Sequence, residues 1–390
     1  MNANPFLGVF FHWLGGLASG SFYVPYRFVK KWAWEVYWLA GGFFSWIIAP
    51  WFFAWLLVPD PVGIIQQADR RTIFLAYLFG ALWGLGGLTF GLTMRYLGIG
   101  LGMAVALGYC AAVGTLTPPI IENRFGELLS TNSGLVTLAG VLVCLTGIAF
   151  TGLAGMSKER ELSEEQKRAA VREFNFTKGF LVATFSGVLS ACFAIGLFYG
   201  KPIMRTAEQV LRTDHRSDLW SNLPVLVVVL LGGFTTNFIW CTLLLIRNRT
   251  ARQYVSLTFA PGRNDKETII ETAIDAPGEA VVRGAPSRPG NHDRVPLLGN
   301  YLFSALAGTT WYLQFFFYSM GQMRMGKYEF SSWTLHMASI IIFSSLWGMA
   351  LKEWRGSSRK TRRLLSAGLA TLIFSTLVVG YGNYLATLIK

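Results

Sequence analysis

The segment Met156 to Lys178, MSKERELSEEQKRAAVREFNFTK, decides the fold because it is the one strongly charged stretch between two long apolar blocks of similar size. Five hydrophobic segments precede it and five follow it. An odd number of membrane crossings in each block makes the second block enter the membrane from the side opposite to the first. The sequence therefore predicts an all-α integral membrane protein with ten transmembrane helices, arranged as two inverted five-helix repeats.

The composition also places the chain in a bilayer. Of its 390 residues, 53% are hydrophobic and only 14% are charged, whereas charged residues make up roughly a quarter of a soluble domain. The net charge of +13 would suggest a nucleic acid partner in a soluble protein. Here Lys and Arg lie almost entirely in short connections between apolar runs, where they orient the spans. We therefore expect a lipid bilayer around the protein and no nucleic acid partner.

The cysteines and the N-terminus carry no sign of other chemistry. All four cysteines fall inside apolar runs, without a close pair or a His at ligand spacing, so they predict reduced packing residues. They are Cys110, Cys144, Cys192 and Cys241. No motif indicates a cofactor or a metal. Met1 to Pro5 lacks the positive region of a signal peptide, so the first span is expected to remain in the mature protein.

Ten apolar runs are candidates for membrane helices, since the hydrocarbon core is roughly 30 Å thick and a helix rises about 1.5 Å per residue. The predicted spans are Phe6 to Tyr26, Trp34 to Val58, Thr72 to Met94, Leu97 to Pro119, Gly134 to Leu153, Phe180 to Gly200, Leu223 to Ile246, Gly299 to Gly321, Ser331 to Leu351 and Leu364 to Ile389. They divide the chain into a first membrane repeat (1–155), a linker (156–178) and a second membrane repeat (179–390).

The seventh connection, at about 247–298, differs from the others because it is rich in Pro, Gly, Thr and alternating charges. Its apolar content is too low for a core of its own, which predicts a disordered or weakly structured loop. A regulatory or docking insert is one interpretation. A tolerated surface insertion is the favoured one.

The distribution of positive charge predicts the orientation. The odd-numbered connections hold 24 of the 34 Lys and Arg residues. Because positive residues collect on the cytoplasmic side, the central linker is predicted to be cytoplasmic and both termini periplasmic, in a bacterial inner membrane.

Two pairs of short motifs repeat at equivalent places in the two halves. Gly16-x-x-Ser19 in the first span parallels Gly187-x-x-Ser190 in the sixth, and Gly80-x-x-Trp83 parallels Gly308-x-x-Trp311. Internal repeats of this kind are typical of secondary transporters, whose sites lie at the repeat interface near the membrane midplane.

Ionisable residues inside membrane spans are candidates for function, and here the inventory is short. His12 shares one helical face with Gly16, Ser19 and Tyr23, which predicts the lining of a cavity. Histidine titrates near pH 6.5, which suits exchange of protons between the two sides of a membrane. A neutral histidine that hydrogen-bonds a neighbouring helix is an equally weighted interpretation.

Glu329, Trp333 and His336 lie on one face of the ninth span, which indicates a proton entry step or part of a polar site. A carboxylate in the first turn of a helix also stabilises the helix dipole without a further role. Glu35 begins the second span four residues after Lys31, so a helix-end ion pair is an alternative for it.

A stripe on the eighth span interleaves aromatic rings with amides, at Trp311, Gln314, Tyr318 and Gln322. Rings can stack on the apolar face of a sugar while amides bind its hydroxyl groups, so the stripe favours a small neutral sugar as ligand. An interfacial aromatic belt explains Tyr318 equally well. Asn237 in the seventh span is a further polar group.

These residues occur within longer strings by which the chain resembles the bacterial L-rhamnose/proton symporter family of the drug/metabolite transporter superfamily. The strings are FYVP at 22–25, KKWAWE at 30–35, GLTMRYLG at 91–98, GTLT at 114–117, PII at 119–121, WYLQFFFY at 311–318, SW at 332–333, LHM at 335–337 and LKEW at 351–354. The resemblance implies a ten-span carrier that moves a deoxyhexose inward with a proton. It also implies a histidine at the position of His12.

The chain departs from the family pattern in the third span, where Gly87, Thr89 and Phe90 stand in place of two expected asparagines and a tyrosine. The seventh connection is also longer than expected.

The hypothesis is a proton-coupled sugar importer that works by alternating access and is not an enzyme. The expected proton-coupling residues are His12 and His336, with Glu35 and Glu329 second. The expected sugar-binding residues are Trp311, Gln314, Tyr318, Asn237, Trp333, Ser19 and Tyr23.

Three alternatives stay open from the residues alone, the third being a non-transporting sensor that would act through the seventh connection. An exporter or exchanger of another small metabolite is disfavoured, because the spans offer no Lys or Arg at mid-depth to neutralise a charged substrate. An intramembrane acyltransferase would use His336 as a base, but it needs a nucleophile or acidic partner beside that histidine.

Overall fold

The computed structural model describes residues 3–161, 175–258 and 294–388, whose regular secondary structure is helical apart from one antiparallel bridge between Thr258 and Arg294. The α-helices of this part are α1 (Pro5–Ser21), α2 (Tyr23–Tyr26), α3 (Trp34–Phe43), α4 (Ala49–Leu57), α5 (Pro61–Gln67), α6 (Arg70–Leu97), α7 (Ile99–Ile121), α8 (Phe125–Ser130), α9 (Asn132–Arg160), α10 (Phe176–Tyr199), α11 (Lys201–Thr213), α12 (Leu223–Asn248), α13 (Leu297–Met325), α14 (Ser332–Ala350) and α15 (Arg359–Leu388). A π-helix, Phe44–Ile48, joins α3 to α4, and a 3-10 helix, Gly326–Ser331, joins α13 to α14. Residues 162–174 of the predicted linker and 259–293 of the predicted loop lie outside the described residues.

Eight helical stretches of the described chain are long and apolar enough to cross a membrane. One of them, Leu297–Ala350, has 54 residues and contains both α13 and α14. The first predicted span, Phe6 to Tyr26, corresponds to α1 together with α2, which ends at Tyr26 after a break at Phe22. Large apolar side chains lie exposed on the outer helix faces, among them Leu142 and Ile246, as expected of surfaces that contact lipid. These features are those of a multi-pass membrane protein.

The contacts between helix ends define two faces of the bundle. At the end where α1 begins, the Asn4 amide donates to the Arg324 carbonyl at the end of α13 (3.0 Å). We call this end the N-terminal face. At the opposite end, the Asn175 amide before α10 donates to the Tyr96 carbonyl near the end of α6 (3.2 Å). Because the central linker connects α9 to α10 there, we call this end the linker face.

Two pairs of helices that the predicted repeats make equivalent run in opposite directions. Helix α1 begins at the N-terminal face, whereas α10 begins at the linker face. The fifth helices, α9 and α15, lie antiparallel, since Gly382 packs on Thr137 and Gly368 packs on Thr151. A Cβ added at Gly382 would lie 2.7 Å from the Thr137 amide nitrogen, so the two backbones nearly touch. We call this contact the α9–α15 seam.

The motifs that repeat in sequence also make equivalent contacts. Gly16 of α1 packs against Ser339 of α14, and Gly187 of α10 packs against Ala106 of α7. In both cases the first helix of one half therefore contacts the fourth helix of the other half. In the same way, Gly80 of α6 packs on Val229 of α12, while Gly308 of α13 packs on Gly41 of α3. Small residues at these crossings let the helices approach closely.

Candidate functional site

Two buried histidines from opposite halves lie on either side of one tyrosine. The His12 ring on α1 is 5.3 Å from the Tyr318 ring, and the His336 ring on α14 is 5.1 Å from it, between ring centroids. Glycines make room for both imidazoles. A Cβ at Gly321 would lie 2.8 Å from the His12 ring, and one at Gly15 would lie 3.5 Å from His336 Nδ1. The structure thus brings together three of the residues selected from the sequence.

Neither imidazole has a hydrogen-bond partner within the described residues. Both ring nitrogens of His12 and of His336 are buried and lack one, and both side chains are inaccessible to solvent. Buried polar groups are nearly always hydrogen-bonded in folded proteins, and a buried group without a partner needs an explanation. The packing interpretation, a histidine that hydrogen-bonds a neighbouring helix, has no such bond in this part of the chain. Binding of a proton or of a polar ligand is the remaining chemistry of these nitrogens.

A column of aromatic rings continues from the histidines through the middle of the bundle. Trp333 lies 5.8 Å from Tyr318 and 5.7 Å from Phe193, between ring centroids. Its indole nitrogen donates to the Cys110 carbonyl at 3.0 Å, which fixes the ring. Farther along α13, the Trp311 ring is 5.6 Å from the Trp83 ring. These rings fill the space between two cavities.

The first cavity, which we call the tryptophan chamber, lies halfway along α13 and the α3–α4 segment. It encloses about 190 Å³ of empty space, counting the part that opens to solvent, and in this state it has room for about one water molecule. Its lining residues are Phe22, Tyr26, Trp38, Gly42, Ser45, Trp46, Gly308 and Trp311. No charged side chain is among them.

The second cavity, which we call the N-terminal vestibule, opens at the N-terminal face beyond Tyr318. It encloses about 380 Å³ by the same measure. Its lining residues are Gly114, Pro118, Glu122, Arg124, Ala194, Phe198, Lys201, Tyr318, Gln322, Glu329 and Phe330. In contrast to the tryptophan chamber, it carries charges of both signs.

An ionic cluster lines the vestibule. Lys201 Nζ lies 2.7 Å from Glu122 Oε1 and 2.8 Å from Glu329 Oε1. Arg124 extends the cluster, with contacts of 3.3 Å to Glu122 and to Glu127. Glu122 follows α7 of the first half, whereas Lys201 begins α11 of the second half. The cluster therefore joins the two halves at the N-terminal face.

The pairing shifts the pKa values of these groups. Burial acts to raise the pKa of Glu122, but the hydrogen bonds and charges of Lys201 and Arg124 outweigh it, so this pKa lies below the ordinary value. Burial acts to lower the pKa of Lys201, but the charges of Glu329 and Glu122 outweigh it, so this pKa lies above the ordinary value. Glu122 and Lys201 therefore stay charged at neutral pH.

The two carboxylates selected from the sequence lie at opposite faces. Glu329 pairs with Lys201 at the N-terminal face, while Glu35 is buried at the linker face. Glu35 Oε1 accepts hydrogen bonds from Asn248 Nδ2 (3.0 Å) and Thr250 Oγ1 (2.7 Å). The bundle therefore places neither carboxylate beside the two histidines.

The predicted sugar-binding residues are divided among several places. The side-chain amide of Asn237 makes two hydrogen bonds inside the bundle. Its Oδ1 accepts one from Trp38 Nε1 (3.2 Å), and its Nδ2 donates one to the Gly233 carbonyl (2.9 Å). It therefore positions Trp38. Gln314 and Ser19 are buried. The Tyr23 ring packs on the Phe22 ring, with centroids 3.8 Å apart.

Several residues that line the cavities were not selected from the sequence, and four of them bear on the site. Lys201 and Glu122 stand directly after the apolar runs that end at Gly200 and Ile121, where a charge is expected simply as the end of a span. Ser45 and Trp46 interrupt the apolar run of the second span, and this polar break was the available signal.

The described residues contain no group of three His, Cys, Asp or Glu that could hold a metal ion. The four cysteines are free and buried, which agrees with packing roles.

Comparison with known proteins adds an independent finding. The family model described as L-rhamnose-proton symport protein matches residues 1–260 and 292–385. An L-rhamnose-proton symporter from Pectobacterium atrosepticum is 35% identical over 382 residues, which cover 97% of this chain and 99% of that protein. One from Salmonella gallinarum is 36% identical over 379 residues, which cover 96% and 97% of the two chains.

Proposed function

Because this chain belongs to the L-rhamnose-proton symport family, we propose that it imports a neutral sugar together with a proton by alternating access. L-rhamnose or a related deoxyhexose is the proposed substrate, since the relatives at 35% and 36% identity are L-rhamnose-proton symporters. The family consists of transporters, so the chain is not an enzyme.

The proposed architecture is ten membrane helices in two inverted five-helix repeats, at 1–155 and 179–390. Two observations support it. Helices α1 and α10 start at opposite faces, and α9 and α15 are antiparallel. The repeated glycine motifs also make equivalent contacts in the two halves. Inverted repeats of this kind let one half rock against the other around a site near the midplane.

The proposed orientation puts the linker face in the cytoplasm and the N-terminal face in the periplasm of a bacterial inner membrane. It is supported by the excess of Lys and Arg in the odd-numbered connections. In this orientation the ionic cluster lies at the periplasmic mouth of the vestibule. A sugar and a proton would then enter past Lys201 and Glu329.

The observation that carries the proton-coupling proposal is the arrangement of His12 and His336 around Tyr318. Two imidazoles without hydrogen-bond partners in the described residues lie within one cluster of rings, at the junction of the two halves. An imidazole that takes up a proton becomes a donor at both nitrogens. Protonation on one side of the membrane can therefore change which contacts this junction makes, and so which face opens.

Sugar recognition is proposed to use aromatic faces and uncharged polar groups, with Trp311, Tyr318 and Trp333 among them. The tryptophan chamber has no charged lining residue, which suits a neutral ligand. Gln314, Ser19 and Tyr23 stay in the proposed set, while Asn237 contributes by holding Trp38.

Uptake into proteoliposomes tests this function. Purified protein would be reconstituted and given radiolabelled L-rhamnose, with and without an imposed pH gradient that is acidic outside. We expect the gradient to drive accumulation above the external concentration, and a protonophore to abolish that accumulation. If no neutral sugar in a panel of deoxyhexoses and hexoses responds to the gradient, the proposal is wrong, and export or exchange of another metabolite becomes the better explanation.

A further inference from the structure

We propose that the tryptophan chamber is the part of the sugar-binding site that extends from Trp311 to the second span, and that Trp46 donates a hydrogen bond to a hydroxyl oxygen of the bound pyranose. This inference rests on the proposed function and deepens it. It adds to the proposed site a residue of the second span, Trp46, together with its neighbour Ser45. It also makes Trp38 and Trp311 the stacking walls of the site.

The local backbone at Trp46 is irregular for a reason that is visible in the sequence. Pro50 has no amide hydrogen, so the carbonyl of Trp46 cannot accept the usual i to i−4 bond from that residue. The chain responds with the wider π turn at Phe44–Ile48, closed by the Ala49 amide on the Phe44 carbonyl. Single π turns inside helices are rare and occur frequently at functional sites. This turn presents Ser45 and Trp46 to the chamber.

The indole of Trp46 has an unused donor. Its Nε1 is buried and has no acceptor within the described residues, and only 3% of the residue is exposed. In contrast, Trp38, which lines the same chamber, donates to Asn237. A buried donor without an acceptor costs about 1 to 3 kcal/mol. A ligand hydroxyl that accepts from Nε1 would remove this cost on binding.

The rings of the chamber pack against one another at steep angles, so a pyranose would bind by parting them and laying its apolar face on one ring. The Trp46 ring is 5.4 Å from the Trp311 ring at an interplanar angle of 81°, and 6.1 Å from the Trp38 ring at 69°. These steep angles give the chamber walls that face different directions. Gly42 is required beneath Trp46, because a Cβ there would lie 2.5 Å from the indole ring. Aromatic walls with few polar groups are the usual lining of small-molecule sites.

The position and charge of the chamber narrow the ligand class. Trp311 lies at the middle of α13, and Trp46 lies at the middle of the 24-residue segment Trp34–Leu57. Both are therefore near the depth at which secondary transporters bind their substrates. Because no charged side chain lines the chamber, an anionic or cationic ligand would remain without a counter-charge in a low-dielectric region. A neutral pyranose needs no counter-charge and can therefore bind in such a site.

A binding experiment tests the site without transport. Purified protein in detergent would be titrated with L-rhamnose by isothermal titration calorimetry at one fixed pH. The variants are Trp46→Phe, which keeps an aromatic ring and removes the N–H group, and Trp46→Leu, which also removes the ring. Trp55→Phe is the matched control, because Trp55 lies on α4 and is 56% exposed on the outer surface. Thermal unfolding of each variant would verify that it is folded.

We expect Trp46→Phe to raise the Kd about three- to tenfold, which corresponds to the loss of one net hydrogen bond. Trp46→Leu should raise it further, and Trp55→Phe should leave it unchanged. Folded Trp46 variants that bind L-rhamnose like the unmodified protein would overturn this inference alone. A Trp55→Phe variant with the same loss would also overturn it. Absence of binding to the unmodified protein would overturn the proposed substrate together with this inference.

Discussion

The ammonium group of Lys201 lies 2.7 Å from the carboxylate of Glu122, and this ion pair joins the two halves of the bundle at the N-terminal face. Lys201 also holds Glu329 at 2.8 Å, so one cation binds two carboxylates above the vestibule. The side chain of Lys201 is 19% exposed, which limits screening by solvent. The cluster is therefore a contact that must change when the vestibule widens.

The first prediction concerns Lys201→Met, which should make the vestibule easier to enter. Ala194 lines the vestibule below the cluster, so Ala194→Cys can report access through its labelling by a polar thiol reagent in detergent. We expect the Lys201→Met change to accelerate this labelling several-fold, because the two carboxylates lose their shared cation. Labelling of the buried native cysteines, measured in the parent protein, would be subtracted.

Arg212→Met provides the control for that experiment. Arg212 pairs with Glu208 at 2.6 Å, but both residues lie on α11, so their pair joins no separate elements. Labelling of Ala194→Cys should be unaffected by it. Equal acceleration by the two changes would mean that loss of charge, and not loss of the bridge, controls access.

The second prediction concerns the pH dependence of stability through Glu122. Because pairing lowers the pKa of this carboxyl in the folded protein, its contribution is complete above the unfolded pKa and is lost as the pH falls through the folded pKa. The difference in Tm between the unmodified protein and Glu122→Gln should therefore be largest at neutral pH and shrink below about pH 4. A difference that stays constant from pH 7 to pH 3 would contradict this assignment.

The third prediction concerns His12→Ala in proteoliposomes. If His12 couples the proton to the sugar, the variant should lose accumulation driven by the pH gradient and retain exchange of sugar down its own gradient. His215→Ala is the control, since His215 is an exposed histidine in the connection after α11. Unchanged accumulation in the His12 variant would remove this residue from the mechanism.

The fourth prediction concerns Gly321→Ala. The added methyl group would lie 2.8 Å from the His12 ring, so the imidazole has to move and the packing around Tyr318 has to change. We expect a loss of about 1 to 3 kcal/mol in the free energy of unfolding, together with weaker proton-driven accumulation. Denaturant unfolding and uptake assays would measure the two effects.

Gly87→Ala is the matched control, because nothing lies within 4 Å of the position that its methyl group would take. Its stability should be unchanged or slightly higher, since alanine favours the helix more than glycine does. A loss at Gly87 as large as the loss at Gly321 would show that any methyl group at a helical glycine disturbs this bundle.

Much of the fold could be predicted from the sequence because membrane helices are continuous apolar runs of defined length. The second predicted span, Trp34 to Val58, agrees with the observed helical segment to within one residue. The first, Phe6 to Tyr26, agrees with α1 and α2 together, although the helix is interrupted at Phe22. Hydrophobicity reports which residues can lie in lipid, and it does not report where the backbone turns.

The candidate site could be predicted only in part. His12, His336 and Tyr318 stood out because polar and ionisable groups are rare inside spans, and the structure brings them together. Their hydrogen-bonding state could not be read from the sequence, since it depends on which helices are neighbours. For the same reason the sequence could not show that Asn237 accepts a hydrogen bond from Trp38, which lies on a different helix. The same holds for Lys201, whose two partners are 79 and 128 positions away in the chain.

The α9–α15 seam limits which substitutions the bundle can tolerate. A methyl group at Gly140 would lie 2.9 Å from the Val379 amide nitrogen, and one at Gly382 would lie 2.7 Å from that of Thr137. Two helices in such close contact cannot separate or slide without losing their packing. They must therefore move as one rigid unit during any conformational change. A saturation mutagenesis screen should accordingly find a line of positions along these two helices at which only small residues are tolerated.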